Sequence, residues 1–175
     1  MFDKNQGYGI VSKLLHWIRG ILLITIFVLA KIGLEEQHML LGLVLFIIII
    51  VNIFWRVFNL YPNTDAASVP EKNIQFIIFF LIYLCCFIIP ILGYLGVRRP
   101  MDLFVFTIYP IYEIGVMKDF VEAYLQMEIK SFTRLIRFIH EQMAHLLILI
   151  LVVIHVLAVL FNTIIRKNNE LKKML

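Results

Sequence analysis

The chain has 175 residues, of which 62% are hydrophobic and only 16% charged, with a mean hydropathy of +0.92. A soluble domain of this length is nearer half apolar and a quarter charged, and one domain has no room to hide such an excess in its core. The surplus must face lipid, and a net charge of +4 then reads as membrane topology, with no reason to invoke nucleic acid.

The residues ahead of the first apolar run, MFDKNQGYGIVSKLLHW, lack a short apolar stretch followed by small residues. They do not read as a removable signal peptide, so the first helix is expected to be its own insertion signal. Four stretches nearly free of charge follow, at 14–34, 39–54, 74–96 and 146–165. Each approaches or exceeds the roughly 20 residues that cross a bilayer as a helix. None alternates as a barrel strand does. The expected fold is an all-α integral membrane four-helix bundle in a single domain, with helices at about 12–34, 38–58, 73–97 and 132–166.

Ser12 is expected to cap helix one, and Glu35-Glu36-Gln37 to turn the chain into helix two. Pro62, Asn63, Asp65 and Pro70 mark an aqueous loop. Pro90 and Gly93 should kink helix three. The long connection over 98–137 opens with Phe104, Phe106, Tyr109 and Tyr112, which suit the headgroup region, and the part over 112–127 is expected to lie on the surface as a short interfacial helix. Helix four exceeds what a bilayer requires, so its first turns should project outside. With both termini in the cytoplasm, nine basic residues fall inside and seven outside. The inner ones (Lys4, Lys13, Arg19, Arg56, Lys72, Arg166, Lys167, Lys172, Lys173) flank helix ends closely, which favours this orientation.

Cys85 and Cys86 are adjacent on helix three and point about 100° apart, so they read as small apolar side chains rather than a disulfide. No CxxCH occurs, which excludes covalent haem attachment.

The informative residues are the histidines, because an ionisable group at membrane depth is costly and usually has a partner or a task. Following the topology, His38 and His140 fall near the outer face, and His16 and His155 toward the inner one. Each pair draws on two helices, as is needed to clamp a flat macrocycle between axial imidazoles in a bundle. His140 and His155 are 15 residues apart, a rise of about 22 Å, and lie about 60° apart round the helix. Two haems, one near each surface, fit that separation. His145 lies about 140° round from His140 and points elsewhere. Arg19 and Arg137 each stand three residues from a histidine, on its face, where a guanidinium suits a haem propionate.

The segments LLHWIRG at 14–20, HMLLG at 38–42, WRVFNLYP at 55–62, and IHEQMAH running to IHVLAVL over 139–160 resemble the bacterial cytochrome b561 family. These are quinone-linked di-haem membrane cytochromes related to the cytochrome subunits of nickel hydrogenases and formate dehydrogenases. The resemblance covers all four helices in order. It implies bis-histidine ligation of two haem b groups by His16, His38, His140 and His155, and a bacterial inner-membrane location. It also implies electron exchange with ubiquinone or another quinone. Some free-standing members are superoxide oxidases, passing an electron from superoxide to ubiquinone. Two departures stand out. Relatives usually have one residue fewer between the helix-four histidines, a difference that a π-bulge would absorb. Asn52 occupies a place where they often carry arginine.

The outer basic residues Arg98, Arg99, Lys118, Lys130, Arg134 and Arg137 are the candidates for steering an anion, set against Asp102, Glu113, Asp119, Glu122 and Glu128 in the same loop. Trp17, Arg19, Trp55 and Arg56 are quinone-site candidates, although interface anchoring is the stronger reading for the tryptophans. Two other functions compete: an electron-relay subunit that docks a redox protein in a larger dehydrogenase, and a proton or metal transporter using the histidines. Transporter sites cluster near the midplane, whereas three of the four paired histidines sit toward the two faces.

Overall fold

The structure is a computed structural model that describes residues 8–59, 69–103, 106–167, 171 and 174. Four helical spans are long and apolar enough to cross a membrane. Helix α1 is Ile10–Lys31, α2 Glu35–Phe58 and α3 Val69–Leu95. The fourth span, Ile129–Ile164, is made of α5 (Ile129–Gln142), a π-helical segment (Met143–Ile148) and α6 (Leu149–Ile164). Between the third and fourth spans lie a hairpin of β1 (Met101–Leu103) and β2 (Phe106–Ile108), paired Met101 to Ile108, and the short helix α4 (Gly115–Tyr124). The expected turn at Pro62, Asn63 and Asp65, together with Phe104, Lys4, Lys172 and Lys173, lies outside the described residues.

Local chemistry explains where the elements begin and end. Gly33, at φ +77°, takes the left-handed conformation after α1, and Leu34 N–H reaches back to Leu29 O at 3.0 Å. This glycine-dependent closure lets the turn fall at 32–34, ahead of the place expected for it. Glu35 and Glu36 are instead in the first turn of α2, where the positive end of the helix dipole favours acids. Ser12 does not cap α1, because the helix begins two residues earlier behind Gly9. Its buried hydroxyl accepts from Trp55 Nε1 at 2.9 Å, tying the start of α1 to the end of α2. Pro70 sits inside the first turn of α3, not in a loop; a missing N–H costs nothing there because the first helical N–H groups have no partner in their own helix. The helix continues through Pro90 to Leu95.

The bundle packs in sequence, α1 on α2, α2 on α3, and α3 on the fourth span. Its centre is a thin apolar layer from every span: Ile26, Leu45, Ile49, Cys85, Cys86, Ile148 and Leu151. Most other apolar side chains point outward, as with Ile24, Phe54 and Phe76, which suits a solvent of lipid tails. A second layer of Ile111, Val121 and Ile129 packs α4 onto the projecting start of the fourth span. That span has 36 residues, about 54 Å at helical rise, well beyond a hydrocarbon core of about 30 Å. At the opposite end Arg166 binds Glu71 at 2.6 Å and Trp17 Nε1 donates to Met174 O at 2.9 Å, so both chain ends meet one face of the bundle. Glu71 raises the pKa of the Arg166 guanidinium through its hydrogen bond and its charge.

Close approach of α3 to α5 depends on Gly96. A Cβ there would stand 3.2 Å from both Cα and Cβ of Arg137. A larger side chain at Gly96 must push two backbones apart. Gly96→Leu is expected to cost about 1–3 kcal/mol, read as earlier thermal unfolding of the detergent-solubilised protein. Unchanged unfolding would mean that the two helices do not pack this closely.

Candidate functional site

Four of the five histidines form two facing pairs, each drawn from two spans. His16 of α1 meets His155 of α6 with ring centroids 6.1 Å apart and planes at 61°. His38, in the first turn of α2, meets His140 of α5 at 6.2 Å and 89°. The first pair lies toward the bundle end where α1 begins and α6 ends, the second toward the hairpin end. His145 joins neither; it lies on the π-helical segment against Phe27, centroids 6.1 Å apart.

The ring spacing tests what the pairs can hold. A metal-bound imidazole nitrogen lies about 2 Å from the metal, and the ring centre about 1 Å beyond. Two imidazoles trans across one iron therefore place their centroids roughly 6 Å apart, the spacing found at both levels. Among the described residues no three His, Cys, Asp or Glu side chains are grouped to hold a metal. Each level thus offers two imidazole donors, and a flat macrocycle that supplied the other four would fit that donor set.

The tautomer at the hairpin-end pair is fixed by the backbone. His38 Nδ1 lies 3.0 Å from Ile26 O, and His140 Nδ1 lies 2.8 Å from Ile89 O. A carbonyl only accepts, so each Nδ1 carries the proton and donates, leaving the Nε2 lone pair for a metal. His140 reaches Ile89 because α3 has a glycine beside it. A Cβ on Gly93 would sit 3.0 Å from His140 Cε1 and 3.3 Å from Nδ1. Gly93 on α3 and Gly96 just past its end thus face His140 and Arg137 on α5, a spacing of three in both segments. Gly20 and Gly42 stand four residues after His16 and His38, on the same helix faces, and a Cβ on either meets nothing within 4 Å. Those faces are open to a planar ligand.

The fourth span carries one histidine of each pair, and its π-helical segment at Met143–Ile148 falls between them. A π turn takes an extra residue while the flanking α-helices keep their register, so one added residue need not rotate His155 away from His16.

The arginines behave differently from one another. Arg137 turns outward, its Nε donating to Glu141 Oε1 at 3.0 Å. Arg19 turns inward. Its Nε donates to Leu15 O at 2.9 Å, and its Cζ stands 4.8 Å over the Tyr83 ring. With the Asn52 amide oxygen facing it, Arg19 also donates from Nη1 at 2.6 Å and Nη2 at 3.2 Å, and the Tyr83 hydroxyl donates to the same oxygen. Asn52 is fully buried. Of the other quinone-site candidates, Trp55 is engaged by Ser12, and Arg56 stacks 5.5 Å from the Tyr8 ring and donates to Asn59 O at 3.4 Å. At the hairpin end a shallow depression of about 480 Å³ is lined by Tyr94, Thr107, Ile108, Tyr109, Glu113 and Ile114.

Sequence reasoning misses Tyr83, Glu141 and the packing role of Gly93 and Gly96. The glycines had a signal, since GYLG on helix three matches the three-residue step of RFIH on helix four. Tyr83 had none, because a tyrosine amid aliphatics reads like any other.

Residues 7–175 match the family described as Prokaryotic cytochrome b561. No curated protein matches the chain. Four apolar spans place the chain in the membrane. The chain belongs to the prokaryotic cytochrome b561 family, and is a multi-pass membrane haem b electron-transfer protein of a bacterium.

Proposed function

We propose that the chain holds two haem b groups, one between His16 and His155 and one between His38 and His140, and passes electrons from a donor at the hairpin face to a quinone in the inner membrane. The observation that carries this reading is the pair of ring spacings, 6.1 and 6.2 Å, at two levels of one bundle. When bound, each haem supplies a one-electron iron couple. The protein's part is to present the imidazoles, set their tautomers and exclude water. The distribution of basic residues supports an orientation with both termini in the cytoplasm and the hairpin on the outer side.

We take superoxide as the donor, as in the free-standing superoxide oxidases of the family that the sequence resembles. Arg99 is paired with Glu35 at 3.2 Å and Arg137 with Glu141 at 3.0 Å. Among the described residues Arg98, Lys118, Lys130 and Arg134 carry no ion pair, and neither do Asp102, Glu113, Asp119, Glu122 and Glu128 of the same connection, so any steering of an anion is local to the basic side chains and not a net positive field of the whole face. The balance is simple: two superoxide anions each lose one electron and leave as dioxygen, and one quinone takes both electrons and two protons to become quinol. Purified protein mixed with superoxide and ubiquinone is expected to reduce the quinone faster than the uncatalysed reaction. Quinone reduction no faster than that reaction, with haem present, would point instead to a relay subunit served by a protein donor.

Three variants test the sites themselves through the reduced-minus-oxidised absorption spectrum. His155→Leu is expected to remove about half of the haem signal; full retention would take His155 out of the ligand set. Gly93→Leu drives a side chain into His140 and is expected to remove the haem of the outer level alone. Deleting Leu146 from the π-helical segment restores a continuous α-helix. Both haem signals are expected to survive it, and the loss of either would mean that the π turn does more than absorb a residue.

A further inference from the structure

Arg19 is a permanent cation turned into the bundle on the same face as His16, one turn further into the membrane. Its partners among the described residues are all neutral: Leu15 O, the Asn52 amide oxygen and the Tyr83 ring. Asn52 is gripped from two sides, by the guanidinium and by the Tyr83 hydroxyl, and is wholly excluded from solvent. Among the described residues no carboxylate side chain forms an ion pair with Arg19. Within the four spans the acids are confined to their ends: Glu35 and Glu36 open α2, Glu71 opens α3, and Glu141 belongs to the hairpin half. A charge held in low dielectric without a counter-charge is costly to keep and acts over a long range.

We propose that Arg19, held in place by Asn52 and Tyr83, is a fixed charge that raises the reduction potential of the haem at the His16–His155 level and so draws electrons toward that end of the bundle. This rests on the two-haem reading above. Oxidised haem carries one more positive charge than reduced haem, so a neighbouring cation disfavours the oxidised form. The other level lies about 22 Å along the fourth span, where the same charge acts more weakly. Asn52 and Tyr83 are positioning residues: they orient the guanidinium and add no net charge of their own.

The test is a potentiometric titration of the haem absorption bands in the intact protein, comparing wild type with Arg19→Gln, Arg19→Lys and Asn52→Asp. Arg19→Gln removes the charge, and Asn52→Asp cancels it with almost no change in size. Each is expected to lower the reduced-to-oxidised ratio of one haem about tenfold at a fixed poise, a shift of about 59 mV for one electron. The other haem is expected to move less than about threefold, and Arg19→Lys to stay near wild type. If Arg19→Gln fails to retain haem, Asn52→Asp alone decides. Both haems present with neither ratio moved, or both moved equally, overturns the proposal and leaves the two-haem reading intact. A wild-type protein without two titrating haem components overturns that reading instead.

Discussion

Two imidazoles on different helices must face each other across a gap that is neither closed by packing nor opened by lipid. In a bundle whose apolar core is a thin layer, that is the demanding constraint, because side chains alone would collapse into the space between α1 and the fourth span. Helix contacts run from α1 to α2 to α3 to the fourth span. The histidines bridge what packing leaves apart: α1 to α6, and α2 to α5. Ends tied by Trp55 to Ser12, Arg166 to Glu71 and Arg99 to Glu35 hold the frame around them.

The two levels are built with different precision. At the hairpin end both rings are fixed by hydrogen bonds to helix carbonyls, and Gly93 lets one of them lie against α3. At the other end the rings rest on aromatic edges, His16 on Trp17 and His155 on Phe79. The charge nearby is not dissipated there. Arg137 at the hairpin end meets a carboxylate near the surface, whereas Arg19 meets an amide and a phenol in the interior. A cation paired with a carboxylate at one level, and one whose partners among the described residues are all neutral at the other, make a physical asymmetry, and an electron carrier needs one to have a direction.

Much of this was legible in the sequence because lipid imposes strong rules. Charge-free runs marked the four spans, and counting residues along alternating helices put His16 with His155 and His38 with His140, the rings whose centroids stand 6.1 and 6.2 Å apart. The short surface helix before the fourth span was legible as mixed polarity over 112–127, although the structure confines it to Gly115–Tyr124 and precedes it with a hairpin that apolar content did not announce. Boundaries were less readable. Gly33 ends α1 early through its backbone, and Ser12 is recruited by a tryptophan 43 residues away instead of capping its own helix. The turn of Arg19 toward Asn52 was hidden for a similar reason: it depends on α2 and α3 presenting Asn52 and Tyr83 to one point, which no local pattern encodes.

Whether the facing imidazoles serve as two separate ligand pairs is most directly tested by the molar ratio of haem to polypeptide. Haem extracted from the purified chain should be non-covalent haem b at two per chain. A ratio of one, or no extractable haem, would contradict the account at its base.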